Sequence, residues 1–381
     1  MAPTPRSTRP RKSEPAEPTP PAPAPRPVRK RKAPPAPPAI EPAPPPPSAT
    51  PGPPPDPAPS ARRRRIVVTG AAGFVGGRVA SALLERGDEV VALVRDPHRA
   101  GHLSAIGAEL IESDLSDVAR LTEDLRDADG VIHAAGSYRV GISKAERGAM
   151  WDANVGTTTR ILDAAEAAQT PRIVYVSTVN VFGNTRGEVV NEAFHRDLAA
   201  GFLSWYDETK YGAHEVVEQR IAGKAPVVIA IPSQVYGPGD HSAVGEQLRL
   251  ANLGRLRYLA LADVAFGLVH VDDLAAGILA VLDSGGAGES YVLSGPRVRL
   301  GEAVALAASI GGHRAPRLRV PTRLLRAITP VGRFLGRQNV RELVSASAGV
   351  TYWASSDKAE RELGWRARDL ESGFRDTFRA A

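Results

Sequence analysis

Six short stretches of the chain read as strands, several of them apolar nearly throughout: RIVVTG (65–70), EVVALV (89–94), AELIES (108–113), DGVIHAAG (129–136), RIVYVSTV (172–179) and PVVIAI (226–231). Runs of this length, rich in Val and Ile, predict strands buried on both faces rather than strands with one wet side. Between them lie stretches with helical periodicity, such as TTTRILDAAEAA (157–168). Strand and helix in alternation predict an α/β fold, a doubly wound parallel sheet of Rossmann type with right-handed crossovers.

The first 61 residues break this pattern. Residues 1–65 hold 25 of the 34 prolines and 13 Lys+Arg against 4 Asp+Glu, which leaves 35 against 38 for the remainder. The basic pI of about 9.7 therefore belongs to the leading segment, while the body is slightly acidic. A Pro/Ala/Arg segment buries too little apolar surface to offset its ordering entropy, so 1–61 is expected to be a disordered, partly polyproline-II arm. Its RKRK and RRRR runs bind polyanions weakly and without sequence preference, so no specific nucleic-acid partner is expected. No apolar h-region follows the first arginines and no run of about 18 apolar residues occurs, which argues against a signal peptide and a membrane span. Cysteine is absent, excluding thiolate metal sites and cysteine nucleophiles; no metal is expected, and a cytoplasmic location is the default.

The first strand runs into Thr69-Gly-Ala-Ala-Gly-Phe-Val-Gly76, the start of a helix. Gly70 permits a sharp turn, Gly73 lets backbone amides approach a pyrophosphate, and Gly76 lets the helix pack close to the strand. The helix N-terminus adds the positive end of its dipole. The spacing, G-x-x-G-x-x-G, differs from the common G-x-G-x-x-G fingerprint. It resembles the turn of extended short-chain dehydrogenases/reductases, the NAD-dependent epimerase/dehydratase family. Further motifs occur in that family's order: Asp114-Leu115, His133-Ala-Ala-Gly136, Asn154-Val-Gly-Thr, Val176-Ser-Thr-Val-Asn-Val-Phe-Gly183, Tyr206-Asp-Glu-Thr-Lys210, Tyr236-Gly-Pro-Gly-Asp240, His270-Val-Asp-Asp-Leu274 and Glu362-Leu-Gly-Trp365. The resemblance extends from about Arg65 to the C-terminus and is nearest to the dihydroflavonol reductase and 3β-hydroxysteroid dehydrogenase branch.

Tyr206 and Lys210, four residues apart, share one face of a helix, and an ammonium beside a phenol is expected to lower the phenol's pKa toward neutrality. The resemblance implies hydride transfer to or from nicotinamide, with Tyr206 as general acid/base and Lys210 both biasing it and binding ribose. It implies that a Ser or Thr orients the reacting oxygen; the register against Val181-Phe182-Gly183 selects Thr178 over Ser177. Asn154 has two readings, support of a water relay behind Lys210 or a helix cap. For the cofactor, the resemblance implies contacts from Gly70, Gly73, Phe74, Val75, Gly76, Arg95, Asp114, Leu115, Ala134, Ala135, Gly136, Tyr206, Lys210 and Pro232, with Gly136, Val155 and the backbone after Pro232 at the nicotinamide half. NADP is expected ahead of NAD because Val94-Arg95 stands where NAD-binding relatives place an acid, and a guanidinium suits a 2′-phosphate.

The substrate is expected to be a small carbonyl or alcohol. Ile231-Pro232 and Ala265-Phe266 stand where sugar-nucleotide enzymes carry phosphate-binding arginines, although the segment from Arg314 to Arg337 keeps a phosphate ligand open. A nucleotide-sugar epimerase or dehydratase with bound NAD is one alternative, with Val179-Asn180 offering no acidic pair to a dehydratase; a non-catalytic dinucleotide-binding protein is the other. The expected organisation is a dinucleotide-binding domain over 62–235, joined again by 266–283, and a substrate-binding region from 236–265 and 284–381, its cap drawn from 184–205, 238–265 and 295–350. A homodimer is the expected assembly.

Overall fold

The computed structural model describes residues 62–321 and 340–379. The expected disordered arm (1–61) and residues 322–339 of the arginine-rich stretch lie outside the described residues.

The six apolar runs form β1 (Arg65–Thr69), β2 (Glu89–Val94), β3 (Glu109–Glu112), β4 (Gly130–His133), β5 (Ile173–Val176) and β6 (Val227–Pro232). The later strands are β7 (Gln234–Tyr236), β8 (Tyr258–Ala260), β9 (Ala265–His270), β10 (Ser290–Leu293), β11 (Arg297–Arg299), β12 (Leu318–Val320) and β13 (Thr351–Tyr352). The main sheet has seven strands in the order β10-β6-β5-β4-β1-β2-β3, all parallel. Both faces are buried along the central strands, whereas the edge strand β3 has Glu109 and Glu112 exposed and Leu110 and Ile111 half-buried. Val67 lies in one hydrophobic cluster while its neighbours Ile66 and Val68 lie in the other. Each fully buried Val or Ile contributes on the order of 1.5–3 kcal/mol.

Helices cover both faces: α1 (Phe74–Arg86), α2 (Gly101–Ala105), α3 (Val118–Asp124), α4 (Arg147–Trp151), α5 (Thr157–Ala167), α6 (Trp205–Ala222), α7 (Ala243–Asn252), α8 (Val271–Ser284) and α9 (Leu300–Ile310). Between α4 and α5 the helix is widened into one π turn, Asp152–Gly156. The strand order reverses between β1 and β4, which both pair with neighbours on opposite sides of the sheet. At such a switch point the loops after the two strands diverge and leave a crevice at their C-terminal ends.

The expected domain boundaries differ from the hydrogen bonding. Residues 266–283 divide, since α8 packs on α1 whereas β9 joins a second sheet with β7, β11 and β13. Residues 290–293, expected in the substrate region, are β10 and pair with β6 from Ser290↔Ile229 to Leu293↔Pro232. Tyr291, Val292 and Leu293 are buried there. The C-terminal Glu362-Leu-Gly-Trp365 motif holds the fold together: Trp365 Nε1 donates to the Asp273 carbonyl at 2.7 Å, and Arg368 grips the Asp273 carboxylate. Among the described residues no helix is long and apolar enough to cross a membrane.

Candidate functional site

The turn after β1 is built by sterics. Gly70 has φ +74°, and a Cβ there would lie 2.7 Å from the Ala135 nitrogen. A Cβ on Gly76 would lie 2.3 Å from the Gly70 carbonyl oxygen. The Gly73 N–H donates to that same carbonyl at 2.9 Å, which closes the turn. Helix α1 then begins at Phe74 and Val75 with Gly73 as N-cap, no side-chain cap and no acidic residue in its first turn. An uncapped, glycine-lined helix N-terminus at a switch point offers unpaired amides and a positive dipole to an anion. These residues fit a dinucleotide pyrophosphate, because the side chains that would fill the space are the ones missing.

Two further loops border that turn. After β2, Arg95 is exposed and has no ion pair among the described residues. It lines a cleft of about 420 Å³ with Glu112, Ser113, Asp114, Asp117 and Arg120. Asp114 is folded onto Ser116, accepting from its hydroxyl at 2.6 Å and its N–H at 2.9 Å, and these bonds hold its carboxyl below the usual range. Leu115 has φ +62°, a conformation that costs a bulky residue about 1–3 kcal/mol. Arg160 Nε fixes it by donating to the Leu115 carbonyl at 2.8 Å.

After β4, Ala134 and Ala135 lie against Gly70, and Gly136 is exposed. Beneath them His133 is buried between two threonines, with Nδ1 2.7 Å from Thr69 Oγ1 and Nε2 3.0 Å from Thr158 Oγ1. Thr158 donates its one hydroxyl proton to the Asn154 carbonyl at 2.7 Å, so Nε2–H of His133 must donate to Thr158 and Nδ1 must accept from Thr69. Burial, with the charge of Lys210 adding, lowers His133 to about 3 and keeps it neutral. Asn154 lies in the π turn and is no helix cap. Its Nδ2 donates to the Ser137 carbonyl (3.1 Å) and to Thr209 Oγ1 (2.8 Å), while its Oδ1 accepts from Ser137 N–H (2.7 Å). It ties the β4 loop to α6 one residue before Lys210. Val155 packs inward against Gly212 of α6, and Pro232 is buried at the end of β6.

Helix α6 starts at Ser204, whose hydroxyl accepts from the Asp207 N–H at 3.1 Å. This start sets Tyr206 in the first turn and Lys210 one turn on. Lys210 Nζ donates to the Val176 carbonyl at 3.1 Å and lies 4.9 Å from the Tyr175 ring centre; burial lowers its ammonium to about 8. Tyr206 meets the exposed Tyr138 edge-on at 4.7 Å. The phenol of Tyr206 is pushed up, not down, because burial dominates, Tyr138 and Asp207 add to it, and only the nearby Thr178 hydroxyl opposes it. The expected lowering by Lys210 is thus overturned by desolvation. Tyr206 keeps its proton at neutral pH.

The structure separates the two hydroxyls at the end of β5. Ser177 Oγ is buried 2.9 Å from His214 Nδ1 and locks α6 to the strand. Thr178 points the other way, toward Tyr206. Its Oγ1 donates to Asn180 Oδ1 at 3.0 Å, and Asn180 Nδ2 donates to Asp207 Oδ1, also at 3.0 Å. The sequence showed Asn180 only inside a longer motif and as lacking the acid a dehydratase would want, and Asp207 only inside a longer motif. Their signal was position, two residues after Thr178 and one after Tyr206.

Residues 66–294 match the model of the NAD dependent epimerase/dehydratase family, and the chain belongs to that family. It is similar to sterol demethylase protein B of Methylococcus capsulatus, 28% identical over 326 residues that cover 81% of this chain and 96% of the relative. It is equally similar, 28% over 325 residues with 83% and 96% covered, to 4-hydroxy-2-methyl-3-oxo-4-farnesyl-3,4-dihydroquinoline-1-oxide ketoreductase of Stigmatella aurantiaca. Among solved structures, DesIV, a dTDP-glucose 4,6-dehydratase from Streptomyces venezuelae with NAD and TYD bound, superposes with a TM-score of 0.68 at 25% identity, covering 83% of this chain and 96% of DesIV.

Proposed function

We propose that the protein is an oxidoreductase that interconverts a carbonyl and an alcohol with a nicotinamide dinucleotide. The observation that carries this reading is a phenol kept protonated by burial beside the Thr178 hydroxyl that follows β5, with a buried lysine one turn away. Gly70, Gly73 and Gly76 with the first amides of α1 would hold the pyrophosphate, and Arg95, Asp114 and Leu115 would border the adenosine half. The bound dinucleotide supplies or accepts the hydride. Tyr206 gives its proton to the substrate oxygen during reduction and takes it back during oxidation. Thr178 hydrogen-bonds the same oxygen as charge develops on it. Lys210, fixed on the Val176 carbonyl, places positive charge near the phenol and the ribose, while the Thr69–His133–Thr158 chain keeps the floor of the crevice neutral.

Arg95, which has no ion pair among the described residues, supports NADP. The three carboxylates that share its cleft, Glu112, Asp114 and Asp117, support NAD as the second cofactor reading. A nucleotide-sugar dehydratase or epimerase is the second activity reading, favoured by the similarity to DesIV. Against it, Pro232, Ala265 and Phe266 are buried and apolar where phosphate-binding arginines were sought. The test follows nicotinamide absorbance with NADPH and with NADH over a panel of aldehydes and ketones, beside product analysis with UDP- and dTDP-sugars. Reduction of a carbonyl without sugar conversion supports the first reading; sugar conversion without net cofactor consumption replaces it.

A further inference from the structure

Asp207 is 1% exposed, and its Oδ2 is buried with no hydrogen-bond partner among the described residues. A carboxyl in that position is costly to ionise, so its presence beside Tyr206 calls for a reason. One of its side-chain partners, Asn180, leads directly to Thr178.

The hydrogens along this path are fixed by chemistry. An ionised carboxylate only accepts, so the Asn180 amide must turn Nδ2 toward Asp207 and Oδ1 toward Thr178. Thr178 has one hydroxyl proton, and that proton goes to Asn180 Oδ1. In this arrangement Thr178 has nothing left to donate to a substrate oxygen. An Asp207 protonated on Oδ1 reverses each step. Its O–H donates to Asn180 Oδ1, the amide makes a half-turn about Cβ–Cγ, Nδ2–H then donates to Thr178 Oγ1, and the Thr178 proton is free.

We propose that Asp207 is a positioning residue whose protonation turns the Asn180 amide over and redirects the Thr178 hydroxyl toward the substrate oxygen. The only covalent event is uptake of one solvent proton by the carboxylate. The proposal rests on the reading that Thr178 serves the reacting oxygen.

The groups facing Asp207 come from several elements. Arg196, on the segment before α6, favours the carboxylate, as do the hydrogen bonds from Asn180 and Ser204; Glu342, in the helix Val340–Ser347, opposes it. Tyr138, Tyr206 and Tyr352 complete the surroundings. Burial outweighs the favourable contacts and raises Asp207 to about 6. The neutral form therefore grows in below about pH 6, separate from the titration of Lys210 near 8.

The test has two arms on the full chain with bound cofactor. In the first, the side-chain ¹⁵N resonances of Asn180, assigned by their loss in Asn180→Ala, are followed from about pH 5 to about pH 7.5 in the parent and in Asp207→Asn. They are expected to shift with a midpoint near 6 in the parent and to stay flat in the variant. A resonance that does not move in the parent, or an identical step in Asp207→Asn, overturns the proposal. In the second arm, reduction of 4-nitrobenzaldehyde by NADPH is measured over the same range. From about pH 7.5 to about 5.5 the rate is expected to rise by up to roughly 25-fold, the ratio of neutral Asp207 for a group titrating near 6. Asp207→Asn, whose amide donates at every pH, should lose that rise, as should Asn180→Ala, which keeps the carboxyl and removes the relay and serves if Asp207→Asn does not fold. A rise that survives in Asn180→Ala overturns the proposal. If the protein reduces no carbonyl at all, the oxidoreductase reading fails while the first arm still decides the amide turnover.

Discussion

The turn after β1 and the first turn of α6 both present chemistry at strand ends, yet they are made in different ways. At β1 the constraints are backbone against backbone, with a Cβ on Gly76 falling 2.3 Å from a carbonyl oxygen. At α6 the backbone is ordinary helix and the proposed function lies in how burial sets protons. Tyr206 is pushed up, Lys210 is lowered to about 8, and Asp207 is raised to about 6 within five residues. A steric site leaves glycines in the sequence. An electrostatic site leaves only residue types, and their protonation states belong to the folded protein.

If the two regions do separate duties, damage to α6 should strike turnover and damage to the β1 turn should strike folding and cofactor binding. The largest effect is expected for Tyr206→Phe, with turnover lowered about 10²–10⁴-fold because the transferable proton is gone. Steady-state rates on a reduced carbonyl check it. Gly76→Ala should cost about 2–4 kcal/mol in urea unfolding, since the new methyl meets backbone that cannot swing aside, and it should weaken both NAD(H) and NADP(H).

The next effect is expected at Asp207. Its folded-state pKa is raised above the unfolded value, so stability is highest where the carboxyl is neutral in both states and falls as pH rises from about 4 through about 6. Asp207→Asn should therefore gain about 2–3 kcal/mol at neutral pH and lose that gain below about pH 4. Denaturant midpoints measured across pH check both sign and window. Smallest is Arg95→Ala, expected to weaken NADP(H) by about 1.5–3 kcal/mol while leaving NAD(H) unchanged. Equal loss for both would assign Arg95 to something other than the 2′-phosphate.

The central strands of the main sheet were legible because parallel strands buried on both faces leave apolar runs. The sequence grouped β10 with the substrate region, whereas it pairs with β6 in the main sheet. The glycine turn was legible residue by residue, because Gly70 and Gly76 are the residues that the backbone geometry demands. At the reacting end, spacing was enough to place Tyr206 and Lys210 on one helix face but not to give the direction in which the phenol shifts, since desolvation is absent from a sequence. Ser177 and Thr178 are chemically alike as neighbours in the chain, and only the fold turns one toward His214 and the other toward Tyr206. The Asn180–Asp207 link joins residues 27 apart, a contact that no local pattern announces.

The division of labour is tested most directly by titrating Tyr206→Phe and the parent with NADPH and with NADH, following cofactor fluorescence or heat. The account predicts that each dinucleotide binds the variant within about twofold of the parent, since the turn of Gly70, Gly73 and Gly76 is untouched and the ring still packs on Tyr138. A loss of affinity of about tenfold or more, roughly 1.4 kcal/mol, would place the phenol in the cofactor site and contradict the separation of cradle from reacting set.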